Sequence, residues 1–108
     1  VIRALVKTLG PPCVVIEGEA RGADRIAAQE ATAAGLTVLR FPAYWTTYGR
    51  SAGPIRNQQM LDEGQPEAGF AFYTDKSQSR GARDMASRLF LAGRIVCEYD
   101  ERLRGWLT

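Results

Sequence analysis

The chain has 108 residues, 45% of them hydrophobic and 24% charged, with a formal charge of +2 and a pI near 8.8; this fits one domain with one modest core and carries no basic field strong enough to demand nucleic acid. It has no histidine and only two cysteines, Cys13 and Cys97, which excludes histidine-based catalysis, histidine-containing metal sites and a thiolate zinc site. Its apolar runs are too short to cross a bilayer and no signal-peptide pattern opens it, so a cytoplasmic protein with reduced, buried thiols is expected.

The opening VIRALVKTLGPP reads as a helix over about 2–9, stopped by Gly10 and two prolines. An apolar strand follows at 13–17, of the kind buried on both faces of a parallel sheet. It runs into EGEARGADRIAAQEA, where Gly18 and Gly22 mark the junction with a helix at 23–34 whose Ile26, Ala27, Ala31 and Ala34 keep helical spacing. A strand, a glycine loop and a helix start bring backbone N–H groups and the positive end of a helix dipole to one point, which suits an anion, commonly phosphate. The plain alternative is that the glycines only let the chain turn. Asp24 suits the first turn of that helix, with a ribose hydroxyl as a second candidate partner.

A strand at 36–41 leads into FPAYWTTYGRSAGPIRNQQM. Pro54 fits the first turn of a helix at 54–63, and Gly53 before it permits an unusual backbone angle and the close approach of a ligand. Arg56 and Asn57 then fall in that first turn, where a cation is disfavoured unless an anion arrives to pair with it. A surface Arg bridged to an acidic neighbour is the alternative. Tyr44, Trp45 and Tyr48 suit either stacking on a nucleobase or covering the core beneath a long loop, while Met60 and Leu61 read as core. After a strand at 68–73, Ser79, Arg80 and Gly81 precede a helix at 82–92 with an apolar stripe of Ala82, Met85, Ala86 and Leu89 and with Gly93 as its C′ residue. A last strand occupies 94–99. Residues 100–108 either extend it or form a short helix, with Trp106 and Leu107 packing onto the body.

Strands alternating with helices imply parallel pairing through right-handed crossovers, hence a small three-layer α/β sandwich. Ligands of such sheets bind beyond the carboxyl ends of the strands. Three glycine-bearing segments, 18–22, 49–54 and 79–81, are expected at that edge as one pocket.

The blocks EGEARGADRIA, FPAYW, YGRSAGPIRNQQM, AFY and SRGARDMASR together resemble the YspA/YpsA-related branch of the SLOG superfamily, the Rossmann-like fold shared by the DNA-processing protein DprA (Smf) and the LOG phosphoribohydrolases. The resemblance covers about residues 1–99 and implies one Rossmann-like domain with a mostly parallel sheet, of a kind common in bacteria and their phages. It further implies a nucleotide or nucleotide-derived ligand that is sensed or processed and association into a homo-oligomer; the short apolar runs lead us to expect no membrane partner. Carried onto this chain, the ligand site comprises Gly18, Ala20, Arg21, Gly22, Asp24, Trp45, Gly53, Pro54, Arg56, Asn57, Ser79, Arg80 and Gly81. Backbone N–H groups near the glycines hold phosphate, Arg21, Arg56 and Arg80 neutralise it, and Asn57 orients a sugar or phosphate oxygen. No cofactor and no metal are called for.

Two departures from the family bear on function. The family begins with a strand and a Gly-Ser-Arg turn ahead of the helix in which residue 1 already lies, so the sheet is expected to lack that strand. LOG hydrolases place a catalytic Glu where Met85 stands, and a thioether moves no proton, which argues against N-glycosidic hydrolysis. The alternatives are a nucleotide hydrolase working through Glu17, Glu19 or Asp84, and, by analogy with DprA, a DNA-binding module using Arg21, Arg50, Arg56 and Arg80.

Overall fold

The structure, a computed structural model, describes residues 1–10 and 13–107. By its internal contacts the chain divides into two compact units, Val1–Ala43 and Tyr44–Thr108.

The first unit runs α1 (Ile2–Thr8), β1 (Val14–Glu17), α2 (Ala23–Ala33) and β2 (Thr37–Arg40). β1 and β2 pair in parallel, from Val14 opposite Thr37 to Glu17 opposite Arg40, and the Phe41 amide extends the ladder by donating to the Glu17 carbonyl at 2.9 Å. The core is Val6, Ala31 and Leu36, with Ile2, Leu9, Val15 and Val38 packed against it. Ile2 and Val6, four residues apart, fall on one face of α1, and Leu9 follows as its extended C-cap. Gly35, at φ +78°, closes α2: its N–H donates to Thr32 O at 3.1 Å and that of Leu36 to Ala31 O at 2.9 Å. This paired 5→2 and 6→1 pattern turns the chain and returns Leu36 to the core beside Ala31. The expected burial of β1 on both faces is not found. Val14 is exposed and Val15 and Ile16 are half-buried, and among the described residues of this unit the helix with most contact to β1 and β2 is α2. Helix arrest by Gly10 and two prolines is described only as far as Gly10, and Pro11 and Pro12 lie outside the described residues.

The second unit runs α3 (Trp45–Tyr48), a 3₁₀ turn (Gly49–Ser51), α4 (Ala52–Gly64), β3 (Ala68–Tyr73), a second 3₁₀ turn (Lys76–Gln78), α5 (Arg80–Leu91), β4 (Ile95–Asp100) and β5 (Gly105–Trp106). β3 and β4 are parallel, from Ala68 opposite Ile95 to Tyr73 opposite Asp100. α5 lies on this pair and on α4, with Ala86 and Leu89 buried. Gly69 has no side chain because a Cβ there would overlap Leu89 Cδ1. Gly93, at φ +77°, ends α5 with the same double bond pattern as Gly35, through Phe90 O and Leu89 O.

Beyond Asp100, which ends β4, residues 101–107 neither prolong that strand nor form a helix. Asp100 accepts the Arg102 N–H at 2.9 Å, Arg104 takes φ +51°, and the chain reverses at Gly105 into a strand antiparallel to β4. Thr108 lies outside the described residues. Trp106 then meets Phe70, Phe72 and Tyr99 edge-on at centroid distances of 6.3, 5.8 and 5.4 Å. Cys13 and Cys97 are free thiols and half-buried rather than buried. Among the described residues no helix is long and apolar enough to cross a membrane.

Candidate functional site

In the first unit, the loop after β1 is closed by the chain's own carboxylates. Asp24, second residue of α2, accepts the Gly18 N–H at 3.0 Å and the Ala20 N–H at 3.2 Å, both on Oδ2. Glu17, at the end of β1, accepts the Glu19 N–H on Oε2 at 2.7 Å. Glu17 is only 3% exposed, and its Oε1 receives no hydrogen bond, although the guanidinium of Arg40 stands 3.6 Å away. Burial, with the nearby charges of Asp24 and Glu19, pushes the Glu17 carboxyl above its ordinary value against the opposing effects of the Glu19 amide and Arg40. Gly22 precedes α2 at φ +81°, ψ −119°, a region that only glycine occupies readily, so the turn itself accounts for it. Ala20 and Arg21 are exposed. The Gly18 and Ala20 amides are thus committed to Asp24, leaving the exposed Arg21 as the loop's cationic group.

In the second unit, α4 begins two residues before the expected start, because the helical turn of α3 and the 3₁₀ turn run directly into Ala52. Pro54 remains in the first turn. Arg56 and Asn57 fall one turn further in, past the reach of the helix dipole, and both are buried, at 9% and 3% exposed. Gly53 has no positive φ, and the unusual backbone angle expected there belongs to Gly49 (φ +58°, ψ −133°) instead. The indole of Trp45 packs close over Gly53, 3.3 Å from where a Cβ would stand. Tyr44, Trp45 and Tyr48 are themselves exposed.

Asn57 ties α4 to α5. Its Nδ2 donates to Gly81 O at 3.1 Å and to Asp84 Oδ2 at 3.0 Å, while its Oδ1 accepts Arg56 Nε at 2.9 Å. Arg88 completes the lock, donating to Asp84 Oδ2 and to Gln58 Oε1, both at 2.7 Å. Burial raises the Asp84 carboxyl, but the bonds from Arg88 and Asn57 outweigh it and hold the group below its ordinary value. Asp84 is therefore ionised at neutral pH and badly suited to donate a proton. The first turn of α5 holds no acidic residue, and Ser79 ahead of it turns its hydroxyl to Asp75 O at 2.9 Å rather than capping the helix. Arg80, Gly81 and Arg83 are exposed at that turn.

A further polar cluster lies at the carboxyl ends of β3 and β4 and was missed in the sequence. The buried Tyr73 hydroxyl donates to Glu98 Oε1 at 2.6 Å, Lys76 Nζ reaches Glu98 Oε2 at 3.1 Å, and the Lys76 N–H donates to the buried Asp100 at 3.3 Å. The available signal was the pair of acids two residues apart, Glu98 and Asp100, at the end of an apolar run. Among the described residues no group of three or more His, Cys, Asp or Glu could hold a metal ion. Compared with protein-family models, curated proteins and solved structures, the chain matches none of them.

Proposed function

We propose that this chain is a SLOG-type, Rossmann-like three-layer module that binds a nucleotide or nucleotide-derived phosphate. The turn of residues 79–81 takes the phosphate. One observation carries the reading. The first turn of α5 follows β3, has no acid and no side-chain cap, exposes Arg80 and Gly81, and is anchored from α4 through Asn57. Uncapped first-turn N–H groups and an adjacent guanidinium suit an anion. Arg80 pairs with it directly. Trp45 remains the aromatic surface for a base.

Calorimetry against nucleoside mono- and diphosphates tests this. Arg80→Ala is expected to weaken binding by about 1.5–3 kcal/mol, the worth of a charged hydrogen bond, with the melting temperature unchanged because Arg80 is exposed. Unaltered affinity for every phosphate that the unmodified protein binds would remove the turn from the site.

Catalysis is the second reading, favoured by the buried Glu17 with its raised carboxyl at the end of β1. The group that LOG hydrolases would use is replaced by Met85, and Asp84 beside it is engaged by Arg88 and Asn57. No release of free base from nucleoside monophosphates is expected above a Met85→Ala control. Release that is lost in Glu17→Gln would establish the hydrolase instead.

A further inference from the structure

We infer that Asn57 is a positioning residue, which aims the first turn of α5 at its ligand by gripping the carbonyl of Gly81 and touches no ligand itself. The inference rests on the reading of that turn as the phosphate site. Asn57 is 3% exposed, and both ends of its amide are engaged. Its orientation is unambiguous. Gly81 O and Asp84 Oδ2 need a donor, and Arg56 Nε needs an acceptor, so nitrogen faces α5 and oxygen faces Arg56.

Gly81 is the second residue of α5. In a planar trans peptide the C=O of one residue and the N–H of the next point in opposite directions. Holding the Gly81 carbonyl towards α4 therefore directs the Ala82 N–H the other way. That N–H is one of the first-turn donors left without an intrahelical partner. The helix ladder already engages the Gly81 carbonyl, and Asn57 adds a second donor from α4 that ties this first turn to the neighbouring helix. Asp84 and Arg88 have a different part: together with Gln58 they bond the two helices.

The two parts separate by a swap. Asn57→Asp keeps the shape and the acceptor for Arg56 but removes both N–H donors. Adding Asp84→Asn returns a donor to the helix pair from the α5 side, so α4 and α5 are bonded again while the Gly81 carbonyl stays without its grip. Three readouts are compared: melting temperature, calorimetric affinity for adenosine 5′-monophosphate, and the amide signal of Ala82 in ¹⁵N–¹H spectra without ligand. Asn57→Asp is expected to lower the melting temperature, displace the Ala82 signal and weaken the nucleotide roughly tenfold or more. The double variant is expected to regain melting temperature but neither affinity nor the Ala82 position.

Gln58→Ala breaks the Arg88–Gln58 bond without touching Gly81; it is expected to cost stability with the Ala82 signal and affinity intact, and it decides the matter should the double variant not fold. Recovery of affinity and the Ala82 signal in the double variant would reduce Asn57 to a helix fastener. So would equal displacement of Ala82 by Gln58→Ala. If the unmodified protein binds no nucleotide, the phosphate site falls, while an unmoved Ala82 signal in Asn57→Asp is what sinks the positioning role.

Discussion

Glu17 shows what one buried carboxylate does to the molecule's response to pH. Burial opposes its charge, and Asp24 and Glu19 add to the opposition, so the folded state holds its proton more tightly than the unfolded chain, whose value is near 4.5. The stability it contributes is complete below 4.5 and is lost as pH rises through the folded value. Glu17→Gln should therefore gain on the unmodified protein as pH rises from about 4 to about 8, read as the difference of two melting curves. A difference independent of pH would contradict the burial argument. Asp24→Ala should cost about 1–3 kcal/mol in denaturant titration, because it leaves the Gly18 and Ala20 amides without their acceptor. At this scale the sequence was only partly legible. It marked Asp24 as a first-turn residue, but not that its carboxylate reaches back across the loop. It marked Gly53 for an unusual backbone angle and for the close approach of a ligand; the angle belongs to Gly49, and the group that stands close to Gly53 is the Trp45 indole.

Elements were read more accurately than residues where a period was long enough to register. α1, α2, α5 and the four longer strands lie within a residue or two of their expected bounds, because apolar periodicity and flanking glycines both mark them. The four-residue α3, the two 3₁₀ turns and the two-residue β5 are too short to carry a period, and α3 with its following turn moved the start of α4. The stripe of α5 gives a direct test. Leu89 fills the space above Gly69, and Leu89→Ala should destabilise the fold by about 2–4 kcal/mol through lost burial and a residual cavity. Gly69→Ala should also destabilise, and combining it with Leu89→Val should recover part of the loss, because the two changes relieve one overlap. Simple additivity in chemical denaturation would show that the two residues do not share that space.

For the whole molecule, the alternation of strands and helices was sufficient to read an α/β fold with parallel ladders, and the structure has them in both of its units. The division into two units was not legible, since no linker-like composition marks residues 43 and 44. We propose self-association, and the surface that favours it is in the second unit, where Phe90 and Leu91 are 73% and 80% exposed at the end of α5, with Ile95 exposed close by in the chain. Large apolar side chains exposed together suit an interface. Sedimentation at micromolar concentration should give a mass above the 11.9 kDa of one chain, reduced to one chain by Phe90→Ser with Leu91→Ser. A folded, monodisperse monomer of the unmodified protein would end that proposal.

The loop that Asp24 closes has a kinetic meaning as well. Because two of its amides already have an acceptor in the same chain, its shape does not wait for a ligand. A ligand that docked there would lose little to ordering backbone, at about 1–2 kcal/mol for each residue otherwise fixed on arrival. Encounter is then a matter of fitting a preset surface. The same closure should slow hydrogen exchange at Gly18 and Ala20 in the empty protein.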